Sequence, residues 1–200
     1  MKDAPIILAS GSSSRRLMLE AAGVAFTSVP SGIDEDALKE AMVVDGMTPG
    51  EIADALAEAK ALDVSARHPG ALVLGADQVL VCRGRMFSKC MSETEARETL
   101  SALRGRQHEL ISAAVIARDG KAVWRHSENA FLTMRDFSER FLDEYLGVEL
   151  PEALGSVGVY RIEGRGAQLF SDVAGDQFCI RGLPLLAVLT ALRDMGALPQ

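Results

Sequence analysis

Positive charge is in short supply in this chain. Its 21 Lys and Arg stand against 28 Asp and Glu, a net charge of -7. That balance argues against a general nucleic-acid coat or a protein that lies on an anionic membrane. An anionic substrate would need a local basic site or a metal ion. Cysteine is scarce too. Cys82, Cys90 and Cys179 are odd in number and show no C-x-x-C spacing, so they are expected to be packing residues or inert thiols in a reducing cytosol. The three histidines, His68, His108 and His126, show no metal-ligand spacing, and no Ser-His-Asp or Cys-His set can be argued from them. Long hydrophobic runs are missing: none approaches the roughly 20 residues that a membrane-spanning helix needs. The first apolar run, residues 6–9, is too short for the core of a signal peptide. Internal repeats, low-complexity segments and clear linkers are absent as well. One large domain over residues 1–200 is therefore expected, long enough to bury roughly 70% of its unfolded surface without disulfides.

What is present begins with Ile6-Ile7-Leu8-Ala9-Ser10-Gly11-Ser12-Ser13-Ser14-Arg15-Arg16. An apolar run stops at one Gly and four Ser, and two Arg open a segment of helical spacing with Leu17, Leu19 and Ala21-Ala22. The pattern reads as strand, loop and helix. A helix N-terminus carries unpaired N–H groups and partial positive charge, and small hydroxyl residues ahead of it let an anion approach closely. The stretch therefore reads either as a phosphate cradle or as a Ser N-cap followed by two solvated Arg. It is not a Walker A loop, because no Gly-Lys-Ser/Thr follows at the right spacing.

Further along, residues 25–30 alternate enough for a second strand. Ile33-Asp34-Glu35-Asp36 is an acidic cluster at a loop or helix start, suited to a helix N-terminus or to a metal. Thr48-Pro49-Gly50-Glu51 has the form of a capping box with Pro at the first helical position. The helix it opens should run to about residue 66 and bury Ile52, Ala55, Leu56, Ala59 and Leu62, with Lys60 also on it. Residues 71–82 form a long apolar strand interrupted by Asp77 and Gln78. A carboxylate at such a place is costly unless paired or bound to a metal, and Gly75 leaves room for backbone or ligand.

Ser92-Glu93-Thr94-Glu95 resembles a second capping box, with its helix running to about residue 103. Residues 107–118 and 121–135 are strands joined at Asp119-Gly120, a strong hairpin signal. Ser138 caps the next helix. Residues 155–166 are glycine-rich, carry Tyr160 and Glu163, and read as a binding loop leading into a strand over 167–173. Pro184 should sit at the first position of the last helix. The order of elements is α/β, and the late hairpin implies a mixed sheet.

Taken in order, LASGSSSRR, IDED, ALAEAKA, GADQVL, Ser88-Lys89, LRGRQHEL, GVYRIEGRGAQLF and IRGLPL make a specific set. The chain resembles the Maf family of nucleoside triphosphate pyrophosphatases over roughly residues 6–196. The resemblance implies an elongated, inosine-triphosphatase-like α/β fold with a mixed sheet and a cleft between two lobes. It implies cleavage of a nucleoside triphosphate to the monophosphate and diphosphate with Mg²⁺ or Mn²⁺, in the cytoplasm, by a protein that is often a homodimer and has been linked to septum formation. Arg15, Lys60 and Lys89 match the family's basic positions, Ser10 and Ser12 its phosphate loop, and Asp77 its proton acceptor. Glu35 matches an acidic position and, with Asp77, is the expected metal ligand.

The base is the concern of Ser14, Gln78 and Glu163. Relatives that prefer dTTP and UTP carry Thr and Gln at the last two places, and those that prefer 7-methyl-GTP carry Gln and Glu, as here. The chain departs from the second group at Ser14, where that group has an aromatic residue. Two other functions remain open from sequence: a nucleotidyltransferase that joins a nucleotide to a sugar phosphate, and a non-enzymatic regulator of septation.

Overall fold

The computed structural model describes residues 4–200, so the first three residues of the expected 1–200 domain lie outside it. Strands β1 (Ile6–Leu8), β2 (Thr27–Ser28), β3 (Leu72–Cys82), β4 (Arg85–Phe87), β5 (Gln107–Arg118), β6 (Lys121–Met134) and β7 (Phe170–Ala174) belong to one mixed sheet. Its order is β2-β1-β3-β5-β6-β7, with β4 also paired to β3. β1 runs parallel to both β2 and β3, while β4 is antiparallel to β3 and β7 antiparallel to β6. The helices are α1 (Ser13–Ala21), α2 (Glu35–Val44), α3 (Pro49–Ser65), α4 (Glu93–Leu103), α5 (Glu139–Glu149), α6 (Gln177–Ile180) and α7 (Leu185–Asp194). None of them is long and apolar enough to cross a membrane.

Local signals account for most of these boundaries. Thr48 and Glu51 form the expected reciprocal capping box at α3, and Ser138 caps α5 by accepting from the Phe141 N–H. At α4 the box is only half made. Ser92 accepts from the Glu95 N–H, but the Glu95 carboxylate takes the Met91 N–H instead of that of Ser92. Asp119 and Gly120 both have positive φ (52° and 73°), the backbone of a two-residue hairpin turn between β5 and β6.

Three expectations need correction, and one element is new. The second strand shrinks from 25–30 to Thr27–Ser28, because it lies at the sheet edge and pairs only with β1. Residues Arg165–Leu169 form a 3-10 turn before β7, so the last strand starts later than its apolar residues suggest. Pro184 is the N-cap of α7, one residue before the helix. The short helix α6, capped by Asp176, is absent from the sequence reading.

The chain divides into two compact units. The first comprises the chain up to Gln78, Ile111–Glu128 and Gly182–Gln200, and the second comprises Val79–Leu110 and Asn129–Arg181. In the first, Ile7, Ala9, Val64, Ala71 and Val73 pack together. The second has a larger apolar cluster around Leu100, Leu103, Leu132, Phe137, Leu142 and Tyr145. All three cysteines are buried and unbridged, as packing residues would be.

Candidate active site

The position of the site follows from how α3 meets β3. Gly75 is the reason they come so close. A Cβ there would stand 2.7 Å from the Ala61 nitrogen and 2.9 Å from its Cβ, and closer still to the Ala57 carbonyl. The room left by Gly75 is thus taken by helix backbone rather than by a ligand. Asp77 is two residues on, on the same side of the strand. Lys60 follows Ala57 by three positions along the helix, so the approach at Gly75 carries its ammonium to the Asp77 carboxylate.

The two charges meet at 2.7 Å, Lys60 Nζ to Asp77 Oδ1. A second carboxylate, Glu35 Oε2, lies 2.6 Å from the same ammonium. Lys60 is 4% exposed and Asp77 8%, whereas the Glu35 side chain is 47% exposed. The triad therefore opens to solvent at its Glu35 end. Asp34 explains why Glu35 is held there: its side chain accepts from the Ala37 N–H and caps α2, which places Glu35 in the first turn. The acidic cluster is thus both a helix start and part of the charged site.

The serine-rich stretch resolves into two different arginines. Ser12 caps α1, accepting from the Arg15 N–H, and its own N–H donates to Ser10 Oγ. Arg15 lies with Met18 and Leu19 on the buried face of α1. Its Nε donates to the Gly182 carbonyl at 2.7 Å, and one terminal nitrogen donates to Ser10 Oγ at 3.3 Å. Burial pushes the guanidinium below its usual pKa, and the fields of Asp77 and Glu35 push it back up. Arg16 is exposed and paired with Glu20 at 3.2 Å, the solvated arginine of the plainer alternative. Leu17, counted as apolar face from sequence, is 49% exposed, and Met18 takes its place.

Gln78 projects from the opposite side of β3 from Asp77. Its Nε2 donates to Ser112 Oγ at 2.9 Å. Ser14 is a half-buried residue in the first turn of α1. Ser10, Ser12, Ser14, Arg15, Glu35, Lys60, Asp77 and Gln78 all belong to the first unit. Lys89 and Glu163 belong to the second. Lys89 is exposed and lines a cavity of about 290 Å³ with Arg85, Ser88, Glu95 and Thr99. Glu163 faces Arg181, Oε1 to Nε at 3.7 Å.

The glycine-rich segment around Glu163 is no open loop. Tyr160 is 5% exposed, and its hydroxyl shares a 2.7 Å hydrogen bond with Nε2 of His108. Val159 adopts φ of 57°, which is unusual for a β-branched residue, and its carbonyl accepts from the Tyr145 hydroxyl at 3.0 Å. Gly166 lets the chain pack directly on the backbone of Arg161. Glu163 is therefore presented by a braced turn.

The sequence assigns no site role to Gly182, Ser112 and Arg181, although IRGLPL contains the first and the last of them. Gly182 offers only a main-chain carbonyl, and its φ of 96° is a backbone conformation that favours glycine. Ser112 is one of many small residues in a buried strand. Arg181 reads as an ordinary charge next to a turn. The buried phase of α3 also differs from the expected one. The buried residues are Ile52, Ala53, Leu56, Ala57, Lys60, Ala61, Val64 and Ser65, while Ala55, Ala59 and Leu62 are only half-buried. With the phase set by Leu56 and Val64, Lys60 falls on the apolar stripe, and that was the available signal.

Hard oxygen ligands suit Mg²⁺ or Mn²⁺, and Glu35 and Asp77 supply two carboxylates beside one cation. No group of three or more His, Cys, Asp or Glu among the described residues is placed to hold a metal. A divalent ion here would need phosphate oxygens and water for its remaining positions, the usual mode for Mg²⁺.

A family model described as Maf-like protein matches residues 5–195. A nucleoside triphosphate pyrophosphatase of Paramagnetospirillum magneticum is 52% identical over 192 residues, 96% of this chain and 99% of that protein. Another of that name, from Caulobacter vibrioides, is 50% identical over 97% of each chain. A 7-methyl-GTP pyrophosphatase of Mesorhizobium japonicum is 49% identical over 96% of this chain and 97% of its own.

Proposed function

Because the chain belongs to the family of Maf-like proteins, we propose that it hydrolyses a nucleoside triphosphate to the nucleoside monophosphate and diphosphate. The observation that carries this reading is the Asp77–Lys60–Glu35 arrangement, a nearly buried carboxylate and ammonium opening to solvent beside Arg15. A triphosphate repels a nucleophile, so its charge must be offset before water can attack the α-phosphorus. Arg15, with Ser10 and Ser12, binds the phosphates through forked and hydroxyl donors. Asp77 accepts the proton of the attacking water, and Lys60, 2.7 Å away, orients its carboxylate. Lys60 and Lys89 stabilise negative charge as it moves to the departing diphosphate.

Glu35 and Asp77 would hold Mg²⁺ or Mn²⁺, which would offset phosphate charge there. Glu163 reads the base. Its two acceptor oxygens match the adjacent donors on the Watson–Crick edge of guanine. Gln78 and Ser14 are assigned to base selection as well. Relatives named 7-methyl-GTP pyrophosphatases make that nucleotide a leading candidate substrate. The buried thiols and net charge of -7 suit a cytoplasmic protein that binds neither nucleic acid nor membrane, and a homodimer is part of the same proposal.

The test is an assay of purified protein against canonical and modified nucleoside triphosphates with Mg²⁺ or Mn²⁺. Diphosphate and monophosphate in equal amounts are expected. Orthophosphate as the first product would place cleavage at the wrong bond. Diphosphate only after a sugar phosphate is added would make the protein a transferase.

A further inference from the structure

Arg181 lies against Glu163, Nε to Oε1 at 3.7 Å, and neither side chain is more than 36% exposed. Both ends of the pair are braced. Arg181 follows α6, whose first turn is capped by Asp176 Oδ1 accepting from the N–H groups of Phe178 and Cys179 at 2.9 and 3.0 Å. Cys179 and Ile180, immediately before it, are buried in the apolar cluster of the second unit. Glu163 sits in a turn closed by the Gly164 N–H donating to the Arg161 carbonyl at 3.1 Å. Beside that turn Tyr160 is locked to His108, and Arg161 lies 3.8 Å from the buried Glu149. A carboxylate held this way keeps its two acceptor oxygens while much of its charge is balanced by the guanidinium.

We propose that Arg181 is a specificity-determining residue that sets how strongly the Glu163 subsite distinguishes a cationic base from a neutral one of the same hydrogen-bonding pattern. The inference rests on Glu163 reading the base, as proposed above. Guanine and 7-methylguanine present the same adjacent donors to a carboxylate, but methylation at N7 gives the ring a positive charge. An isolated carboxylate favours the charged ring by Coulomb attraction. A guanidinium fixed beside that carboxylate repels the charged ring and removes most of the advantage, while the hydrogen bonds to either base remain. Arg181 thus tunes the subsite by charge without touching the pattern of donors and acceptors.

The experiment compares kcat/KM for GTP and for 7-methyl-GTP by diphosphate release, in the unaltered enzyme, Arg181→Gln and Arg181→Lys. Arg181→Gln should raise the 7-methyl-GTP to GTP ratio about tenfold, the effect of one full charge several ångströms away at a partly exposed site. Arg181→Lys, which keeps the charge, should leave the ratio within about twofold. A merely structural role would lower both substrates together and leave the ratio unmoved, which would overturn the inference. An equal ratio shift in both variants would overturn it too, since charge would then not be the cause. Turnover of other nucleotides but neither guanine nucleotide would overturn the inference and leave the reaction standing. No diphosphate from any nucleotide would overturn the proposed function itself.

Discussion

In the first unit Arg15, Lys60 and Asp77 are each less than a tenth exposed, together with the hydroxyls of Ser10, Ser65 and Ser112. In the second, the buried polar side chains among the described residues are His108, bonded to Tyr160, and Glu149, beside Arg161. The two interiors differ in kind. One keeps full charges close together at a real cost in desolvation. The other packs aromatic and aliphatic groups and admits polarity mainly to hold a turn in place. Replacing a buried ion pair with apolar residues is often neutral or stabilising. Charges retained inside the first unit are therefore better explained by chemistry than by stability. In the second unit the polar contacts fix the backbone that presents Glu163.

That contrast can be broken most directly at Asp77. Asp77→Asn should lower turnover by about 10²-fold or more, with the circular dichroism spectrum unchanged. Near-normal turnover would move the charged cluster from chemistry to packing.

The second unit should answer to pH through His108. Its imidazole is 2% exposed, and burial lowers its pKa from 6.5 to about 4. Between those values the unfolded chain binds the proton and the folded one does not. Its contribution to stability is complete above pH 6.5 and is lost as pH falls toward 4, by about 3 kcal/mol in all. Thermal melts of His108→Gln, which keeps a partner for Tyr160, should show a correspondingly flatter acid slope. Parallel slopes for the variant and the unaltered protein would contradict it.

A smaller effect separates the two units by function. Glu163→Gln should shift preference from guanine toward pyrimidine nucleotides by about tenfold, because one acceptor becomes a donor. Maximal turnover of the favoured nucleotide should fall much less. An unchanged preference would remove the second unit from base recognition. The smallest effect is expected at Arg16, whose exposed pair with Glu20 is worth little. Arg16→Ala should leave kcat/KM within about twofold. A large loss would mean that both arginines of the serine-rich stretch bind phosphate.

How much of this was legible beforehand varies by residue. Asp77 stood out because strand periodicity fixes its neighbours, and a carboxylate between apolar residues has to be explained. Arg15 was visible, but its separation from Arg16 was not. Which of two adjacent arginines turns inward depends on a helical phase set by Met18 and Leu19 packing beneath. Lys60 stands out by family resemblance alone, since a buried stripe through Ile52, Ala55, Leu56, Ala59 and Leu62 leaves it aside. In an alanine-rich helix, several phases look equally apolar. The bracing of Glu163 was illegible because it uses a main-chain carbonyl, a tyrosine hydroxyl and a histidine scattered from residue 108 to 160.

The amino-acid order alone determined the succession of strands and helices apart from α6, most of their caps, the hairpin at Asp119-Gly120 and the family. These are local matters, decided by periodicity and by hydrogen bonds that span three or four residues. Only the tertiary structure decided that Glu35 and Asp77 share one ammonium, that Gly182 receives Arg15, and that Arg181 stands against Glu163. Such contacts join residues far apart in the chain. They exist because Gly75 lets a helix settle on a strand and because buried turns hold their shape, and no local pattern encodes the distance between two such surfaces.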